Sequence, residues 1–432
     1  MKRAVGRGRK AAMNTLLHKF LTRVITAGSL EVVDSDGKTH RFGDTSPNPI
    51  RVRFTSAAAE RDVVLQPDLK LGEEYMNGGI VMEVGSIYDL ILFAHTNLRL
   101  LQPPWWFKLH NGYRYIVRRL HQINTPTRSR ENVHHHYDLD GQLYRLFLDD
   151  DLQYSCAYFA DGVTTLEEAQ LAKKRHIAAK LDLKPGQRIL DIGSGWGGLG
   201  MYLAEHFDVD VTGVSLSDEQ IAVSNRRAEE RGLAQRVRFL LQDYRSIKGP
   251  FDRIVSVGMF EHVGVNHYRT FFNTCRDLLS ADGSMLIHSI SRYGRPEDTS
   301  AFIRKYIFPG GYIPAISEVM PPVEKSGLKV ADIEVLRLHY AKTLRLWRER
   351  FDAHREEVAA LYDERFVRMW EFYLAGSEVA FRVGDLMNIQ LQVSKKQETL
   401  PLTRDYMLEA EEELGETDRT AADRRPMRLA GE

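Results

Sequence analysis

Cysteine is nearly missing from this chain: Cys156 and Cys275 are its only two in 432 residues. That rules out a disulfide framework and a zinc site of four thiolates. Long apolar runs are missing too, since no stretch approaches the roughly 18 to 20 uncharged apolar residues of a membrane-spanning helix. Neither charge is in excess, 59 basic side chains facing 59 acidic ones. With no basic face beyond residue 30 and no base-flipping motif, a nucleic-acid substrate loses its electrostatic footing. What remains is ordinary for a folded, soluble protein: 43% hydrophobic and 27% charged residues, in a length that suggests about two or three domains. The cysteine usage fits a reducing, cytoplasmic setting.

Charge is uneven along the chain. Lys2, Arg3, Arg7, Arg9, Lys10, Lys19 and Arg23 precede the first acid, Glu31. His18, Lys19 and Arg23 interrupt the apolar segment, so it does not read as a secretory signal. A basic amphipathic segment suits an anionic membrane surface, a solvated basic tail being the plainer alternative. At the other end Glu409, Glu411, Glu412, Glu413 and Glu416 open a stretch, residues 406–432, that reads as a polar, mobile tail.

Residues 1–120 alternate short β-type runs (Ser29–Val33, Ile50–Phe54) with turns and end in a helical stretch from Ile87 to Leu101, a small α+β domain. Polar residues 121–135 read as a linker. From residue 136 to 405 strands alternate with helices. Arg188–Ile192, Val209–Val214, Val237–Leu241, Ile254–Val257 and Ser284–His288 are the predicted strands, with helices at Asp218–Arg231 and Asn266–Leu279. Helices over 341–383 are inserted before a last strand, Met387–Val393. The pattern predicts a doubly wound, mostly parallel α/β sheet of Rossmann type with a C-terminal helical insertion.

The segment Ile189-Leu-Asp-Ile-Gly193-Ser-Gly195-Trp-Gly197-Gly198 is a strand running into a glycine turn and a helix. Absent side chains let a ligand lie on the backbone at a helix N-terminus. A dinucleotide site wants an acid at the tip of the second strand, about 20 residues on. Here that tip is Gly213-Val-Ser-Leu-Ser217, without one. The acid precedes the loop instead, as Asp191, and another follows the third strand, as Asp243. Negative charge there favours a cation over a pyrophosphate, and S-adenosylmethionine carries a sulfonium.

Six separated motifs, His136-Tyr-Asp-Leu139, Tyr154-Ser-Cys-Ala-Tyr-Phe159, Leu190 to Gly198, Gly213 to Ser217 with Gln220, Phe260-Glu-His262, and His339-Tyr-Ala-Lys-Thr-Leu344, make the chain resemble the cyclopropane-fatty-acyl-phospholipid synthases and the related mycolic acid methyltransferases. The resemblance covers about residues 130 to 405. It implies a class I S-adenosylmethionine-dependent methyltransferase that adds a methylene across the cis double bond of an unsaturated phospholipid acyl chain. The alkene would attack the sulfonium methyl, and a base would take a proton from the resulting carbocation to close the ring. Loss of a different proton would give a methyl-branched unsaturated chain, the alternative within the class; a non-catalytic lipid-binding module is the alternative outside it.

For the site, the resemblance implies a bicarbonate ion as base, held by Cys156, Glu261, His288, the Ile290 backbone and Tyr340. It implies cofactor contacts from His136, Tyr154, Ser155, Asp191, Gly193, Gly195, Trp196, Gly197, Ser215, Leu216, Gln220, Asp243 and Tyr244. Without it, Cys156 would read as a small buried residue and Glu261-His262 as a helix start. The triple histidine His134–His136 has no companion ligands at metal spacing, so no metal is expected. Trp105-Trp106-Phe107, Tyr293, Tyr306, Phe308 and Tyr312 suit either a core or a lipid-facing surface. Several relatives carry a cysteine where this chain has Ser377, so no role is assigned there. The expected partners are membrane phospholipid and the cytoplasmic face of the inner membrane, touched peripherally, with a homodimer as one candidate assembly and no nucleic acid.

Overall fold

The computed structural model describes residues 13–99 and 141–423, and the chain groups into two units built from interleaved segments. The first combines the described part of Met1–Tyr113 with Thr299–Phe308 and Trp347–Gly384. Its N-terminal portion runs α1 (Thr15–Val24), β1 (Ser29–Val33), β2 (Thr39–Gly43), β3 (Ile50–Phe54), α2 (Ala57–Leu65), α3 (Pro67–Met76), β4 (Ile80–Val84) and α4 (Ile87–Arg99). The strands form one sheet in the order β2-β1-β3-β4, with β1 and β3 parallel. Inward residues Leu30, Val32, Phe42, Val52 and Phe54 pack with Leu17 and Ala375. The buried carboxylate of Glu60 accepts the backbone N–H groups of Asn14 (2.7 Å) and Ser35 (2.8 Å), tying the start of α1 to the first hairpin.

The second unit carries the glycine loop. Its elements are α5 (Gly141–Phe147), α6 (Leu166–Leu181), β5 (Arg188–Ile192), α7 (Gly198–His206), β6 (Asp210–Ser215), α8 (Asp218–Glu230), β7 (Val237–Leu241), β8 (Phe251–Val257), α9 (Tyr268–Leu278), β9 (Leu279–Arg292), α10 (Ile316–Ser326), β10 (Lys329–Val335), the start of α11 (His339–Ala353), β11 (Leu386–Ser394) and α14 (Asp405–Asp423). Helices α12 (Arg355–Leu361) and α13 (Glu364–Arg382) belong to the first unit. The sheet order is β10-β11-β9-β8-β5-β6-β7. Strands β5 to β9 pair in parallel, and β11 runs antiparallel to both β9 and β10. Because helices cover both faces, β5 and β8 are buried along most of their length and read as near-continuous apolar runs. The doubly wound, mostly parallel sheet expected from the sequence is present.

Three expectations change. Residues 136–405 are not one continuous body: 299–308 and 347–384 join the first unit, because Phe302 and Phe372 close on Gly72, where a Cβ would lie 2.4 Å from the Phe302 ring, and the Tyr75 hydroxyl donates to Glu371 (2.8 Å). The acidic stretch after residue 405 is a helix to Asp423 rather than a tail. Its acids meet the basic face of α6 and α7: Glu411 bonds His176, and Asp418 bonds His206 at 3.0 Å, while Leu414 enters the core with Ile177 and Leu181. Finally, β9 does not stop at His288 but continues to Arg292, held by β11 up to the Leu386–Arg292 pair. The proposed linker 121–135, the basic residues 1–12, His134–His136 and Trp105–Phe107 lie outside the described residues. No described helix is long and apolar enough to cross a membrane.

Docking of α14 is pH-linked. Burial alone would lower the pKa of His176, but hydrogen bonds to Glu334 and Glu411 outweigh it and raise it. A raised histidine pKa stabilises fully below its unfolded value of about 6.5, and the contribution is lost as pH rises through the folded value. Urea midpoints should therefore fall between pH 6 and pH 9, and His176→Phe should flatten that dependence. Leu414→Ala should cost about 2 kcal/mol at either pH, read from the same curves.

Candidate functional site

The carboxyl ends of β5, β6, β7 and β8 open into a cavity of about 1420 Å³, counting the space at its mouth. It is lined by Tyr154, Ser155, Asp191, Gly193, Gly195, Trp196, Ser215, Leu216, Gln220, Asp243 and Tyr244, all expected as cofactor contacts. Gly197 does not line it. Its φ of +81° starts α7, and an added Cβ would stand 2.6 Å from the Phe239 ring and 2.7 Å from the Ser224 Cβ, so its smallness serves packing behind the loop. His136 lies outside the described residues.

Within the loop the two other glycines divide the work. Gly193 (φ +82°) has Met259 behind it, 2.7 Å from an added Cβ, whereas Gly195 (φ +53°) has nothing within 4 Å and faces open space. The Gly193 and Ser194 N–H groups both donate to the Val214 carbonyl, at 2.9 and 3.0 Å, which fixes the turn against β6. Asp191 is 2% exposed and its Oδ2 has no partner; nor has the buried Ser194 Oγ. An unpartnered buried carboxylate oxygen beside an open backbone fits a ligand that brings its own positive charge and donors, as S-adenosylmethionine does. Burial pushes the Asp191 carboxyl up to about 7 despite the opposing charge of Lys173. Ser215 donates to Gln220 (2.8 Å), and both Asp243 oxygens are taken by Arg245 (2.8 and 2.5 Å).

The five residues expected at the anion site line no part of this cavity and gather in two groups. In one, Glu261, in the turn after β8, accepts the Ile290 N–H through Oε1 at 2.6 Å, while its Oε2 has no partner. His288 sits two residues before Ile290 on β9, opposite Val257, the last residue of β8. In the other, Cys156 Sγ reaches the Ala157 carbonyl (3.4 Å), the Ala157 N–H donates to Thr343, and Tyr340 is one turn earlier on α11. Burial raises the Glu261 carboxyl to about 7, lowers His288 to about 3 and pushes the Cys156 thiol up. Near neutrality His288 is thus an uncharged imidazole and Cys156 a thiol, while Glu261 is poised between its two forms. The unpartnered Glu261 Oε2, when protonated, is a hydrogen-bond donor suited to a small oxyanion.

The structure adds a residue that sequence reasoning missed. Lys173 is wholly buried on α6, lines the cavity, and donates to Gln153 Oε1 and Ser155 Oγ, each at 2.7 Å. Burial lowers its pKa to about 8, and its charge is felt by Asp191, Cys156 and His288. Of the aromatic candidates, Tyr312 is core with its hydroxyl on Glu318 (2.8 Å), Tyr293 is exposed, and Tyr306 donates to Glu73 (2.8 Å).

A family model described as mycolic acid cyclopropane synthetase matches residues 124–391, and a model of a domain of unknown function matches residues 16–100. The chain is 38% identical to the cyclopropane-fatty-acyl-phospholipid synthase of Escherichia coli strain K12 over 348 residues, 80% of this chain and 88% of that protein. It is 33% identical to a tuberculostearic acid methyltransferase of Mycobacterium tuberculosis over 401 residues, 87% of this chain and 90% of that one. Among solved structures it resembles a mycolic acid cyclopropane synthase complexed with SAH and CTAB, with a TM-score of 0.59 and 38% identity, covering 62% of this chain and 98% of that one.

Gly195→Val should leave the protein folded, since no atom opposes the new side chain, yet abolish S-adenosylhomocysteine binding in calorimetric titration. The left-handed backbone there costs a β-branched residue about 1–2 kcal/mol in addition. For S-adenosylmethionine, affinity should rise with pH through about 7 and then level off, because a cation binds once Asp191 has lost its proton. In Asp191→Asn binding should be weaker and that rise should vanish.

Proposed function

The chain belongs to the mycolic acid cyclopropane synthetase family and is an S-adenosylmethionine-dependent methyltransferase of the cyclopropane fatty-acyl synthase type; on that premise we propose that it works on unsaturated phospholipid acyl chains at a membrane surface. The base in this reading is a bicarbonate ion held by Cys156, Glu261, His288, Tyr340 and the Ile290 backbone. The observation that carries it is Glu261: a buried carboxyl with one oxygen on the Ile290 N–H and the other unpartnered.

S-adenosylmethionine, when bound, supplies an electrophilic methyl on a sulfonium. Asp191 would sit beside that charge, and Gly195 would leave room for the ligand on the backbone. Lys173 orients Ser155, and through it the segment that bears Tyr154 and Cys156. After methylation the acyl chain carries a cation that must lose a proton before water reaches it, so the walls have to be dry. Glu261, with a pKa near neutrality, can donate to an oxyanion or take up its proton. Bicarbonate held at these donors would be the acceptor of the chain's proton. The tuberculostearic acid relative, named as a methyltransferase rather than a ring synthase, keeps the methyl-branched product as a second reading.

Glu261→Gln should lower turnover by about 10² or more while S-adenosylhomocysteine affinity and unfolding midpoints stay near wild type. Carbonate-free buffer should slow the wild type, and added bicarbonate should restore it. Indifference of the wild type to rigorous depletion would remove bicarbonate from the reading. Chromatography and fragmentation of lipids from an expressing host distinguish a ring from a methyl branch of equal mass. Removal of residues 1–12 takes away five of the seven basic side chains before Glu31, each worth about 1 kcal/mol near an anionic surface. Sedimentation of that variant with anionic vesicles should fall more than with zwitterionic ones.

A further inference from the structure

Strand β11 is antiparallel to β9 and sets Gln390 directly opposite His288 and Asn388 opposite Ile290. Residues directly opposite each other share a face of the sheet, and alternate residues of one strand do as well. His288, Gln390 and Asn388 therefore form one polar cluster on a single face, exposed by 1%, 0% and 2%. The Gln390 amide nitrogen lies 3.2 Å from His288 Nδ1, and the Asn388 amide nitrogen lies 3.4 Å from Nε2. The amide oxygens of both residues are buried without a partner.

Two amide donors cannot both be accepted by one imidazole. A neutral ring has one lone pair and one N–H, and burial holds His288 in that neutral form. Gln390 stands directly opposite His288 and makes the shorter contact, so we take it as the donor; Nδ1 is then the acceptor and the hydrogen lies on Nε2. Nε2–H then needs an acceptor on the Asn388 side. The Asn388 amide, turned about its last side-chain bond, offers its otherwise unpartnered Oδ1 there. Tautomer choice in a buried histidine is set by what the second ring nitrogen meets, and here β11 supplies that partner.

We propose that Gln390 is a positioning residue that holds His288 as the Nε2–H tautomer, with the Asn388 Oδ1 sharing the hydrogen, so that the ring presents an N–H rather than a lone pair to an anion arriving on that side. This rests on the anion-site reading given above for His288, but it makes a claim of its own about the ring. An Nδ1–H imidazole would present a lone pair from Nε2 and repel the anion, whereas the Nε2–H form binds it.

The test is long-range 1H–15N correlation on the full chain labelled with 15N-histidine, with His288 assigned by the signal missing from His288→Gln. The wild type should show a protonated Nε2 and an unprotonated Nδ1. In Gln390→Glu the carboxylate accepts from the ring, so Nδ1 should become protonated. Gln390→Met, close to glutamine in volume, should lose the single-tautomer signature and raise the bicarbonate concentration for half-maximal rate about tenfold, one hydrogen bond's worth, at unchanged S-adenosylhomocysteine affinity. A wild-type His288 protonated on Nδ1, or a tautomer unmoved by both substitutions, would overturn the proposal even if the enzyme depends on bicarbonate. An Nε2–H ring in an enzyme indifferent to bicarbonate would support the role of Gln390 and fell only the reading of the anion.

Discussion

Taking Asp191, Glu261 and His288 out of water is the constraint on which the second unit depends. Asp191 and Glu261 lie at or beyond the carboxyl end of a parallel strand, where an open α/β sheet offers a crevice to ligands, and His288 lies opposite the last residue of β8. Burial shifts each toward its neutral form, the carboxyls up to about 7 and the imidazole down to about 3. The two carboxyls therefore change charge close to neutrality, where a ligand's charge or a modest change of pH tips them, while the imidazole stays neutral. The site is thereby responsive to a sulfonium beside Asp191, without carrying a large fixed charge of its own.

Lys173 keeps Asp191 and Cys156 from being independent. A buried ammonium is costly unless its donors are used, and here Gln153 and Ser155 use two of them. Its position on α6, between the segment that bears Cys156 and the strand that bears Asp191, puts one positive charge within electrostatic reach of both halves. The same helix turns His176 and, next to its last residue, Lys180 toward Glu334. α6 is thus a basic rod inside the unit, and the acidic α14 is the element that neutralises its outer part.

The legible parts of the fold are those where one local rule dominates. β1, β3, β5 and β7 fall where their apolar runs place them, because each run is bounded by turn residues. The glycine loop is legible because positive φ at Gly193 and Gly195 demands that residue type. Lys173 was not, because α6 is buried on nearly every side, Lys173, Lys174, His176 and Lys180 included. No apolar stripe separates an inner from an outer face, and lysine in a helix reads as solvent-facing. The acidic stretch at 405–423 failed for the complementary reason: its partners are far away in sequence, so composition alone described it. The division of 299–308 and 347–384 into the first unit was hidden in the same way, since the packing of Phe302 on Gly72 leaves no mark in either segment.

β11 shows where polar patterning misleads and why. Asn388, Gln390, Gln392 and Ser394 alternate with Ile389, Leu391 and Val393, the signature of a strand with one wet face. The strand is instead buried on both faces. Its amides serve interior partners: Gln390 and Asn388 meet the His288 ring, and Gln392 donates to the Lys180 carbonyl on α6. An antiparallel strand is suited to this task, because its narrow and wide pairs set side chains of two strands directly opposite each other. Here Gln390 faces His288 directly, and Asn388, opposite Ile290, reaches the ring diagonally. Reversing one strand in an otherwise parallel sheet therefore has a chemical consequence: it sets the side-chain amides of β11 against the imidazole nitrogens of β9.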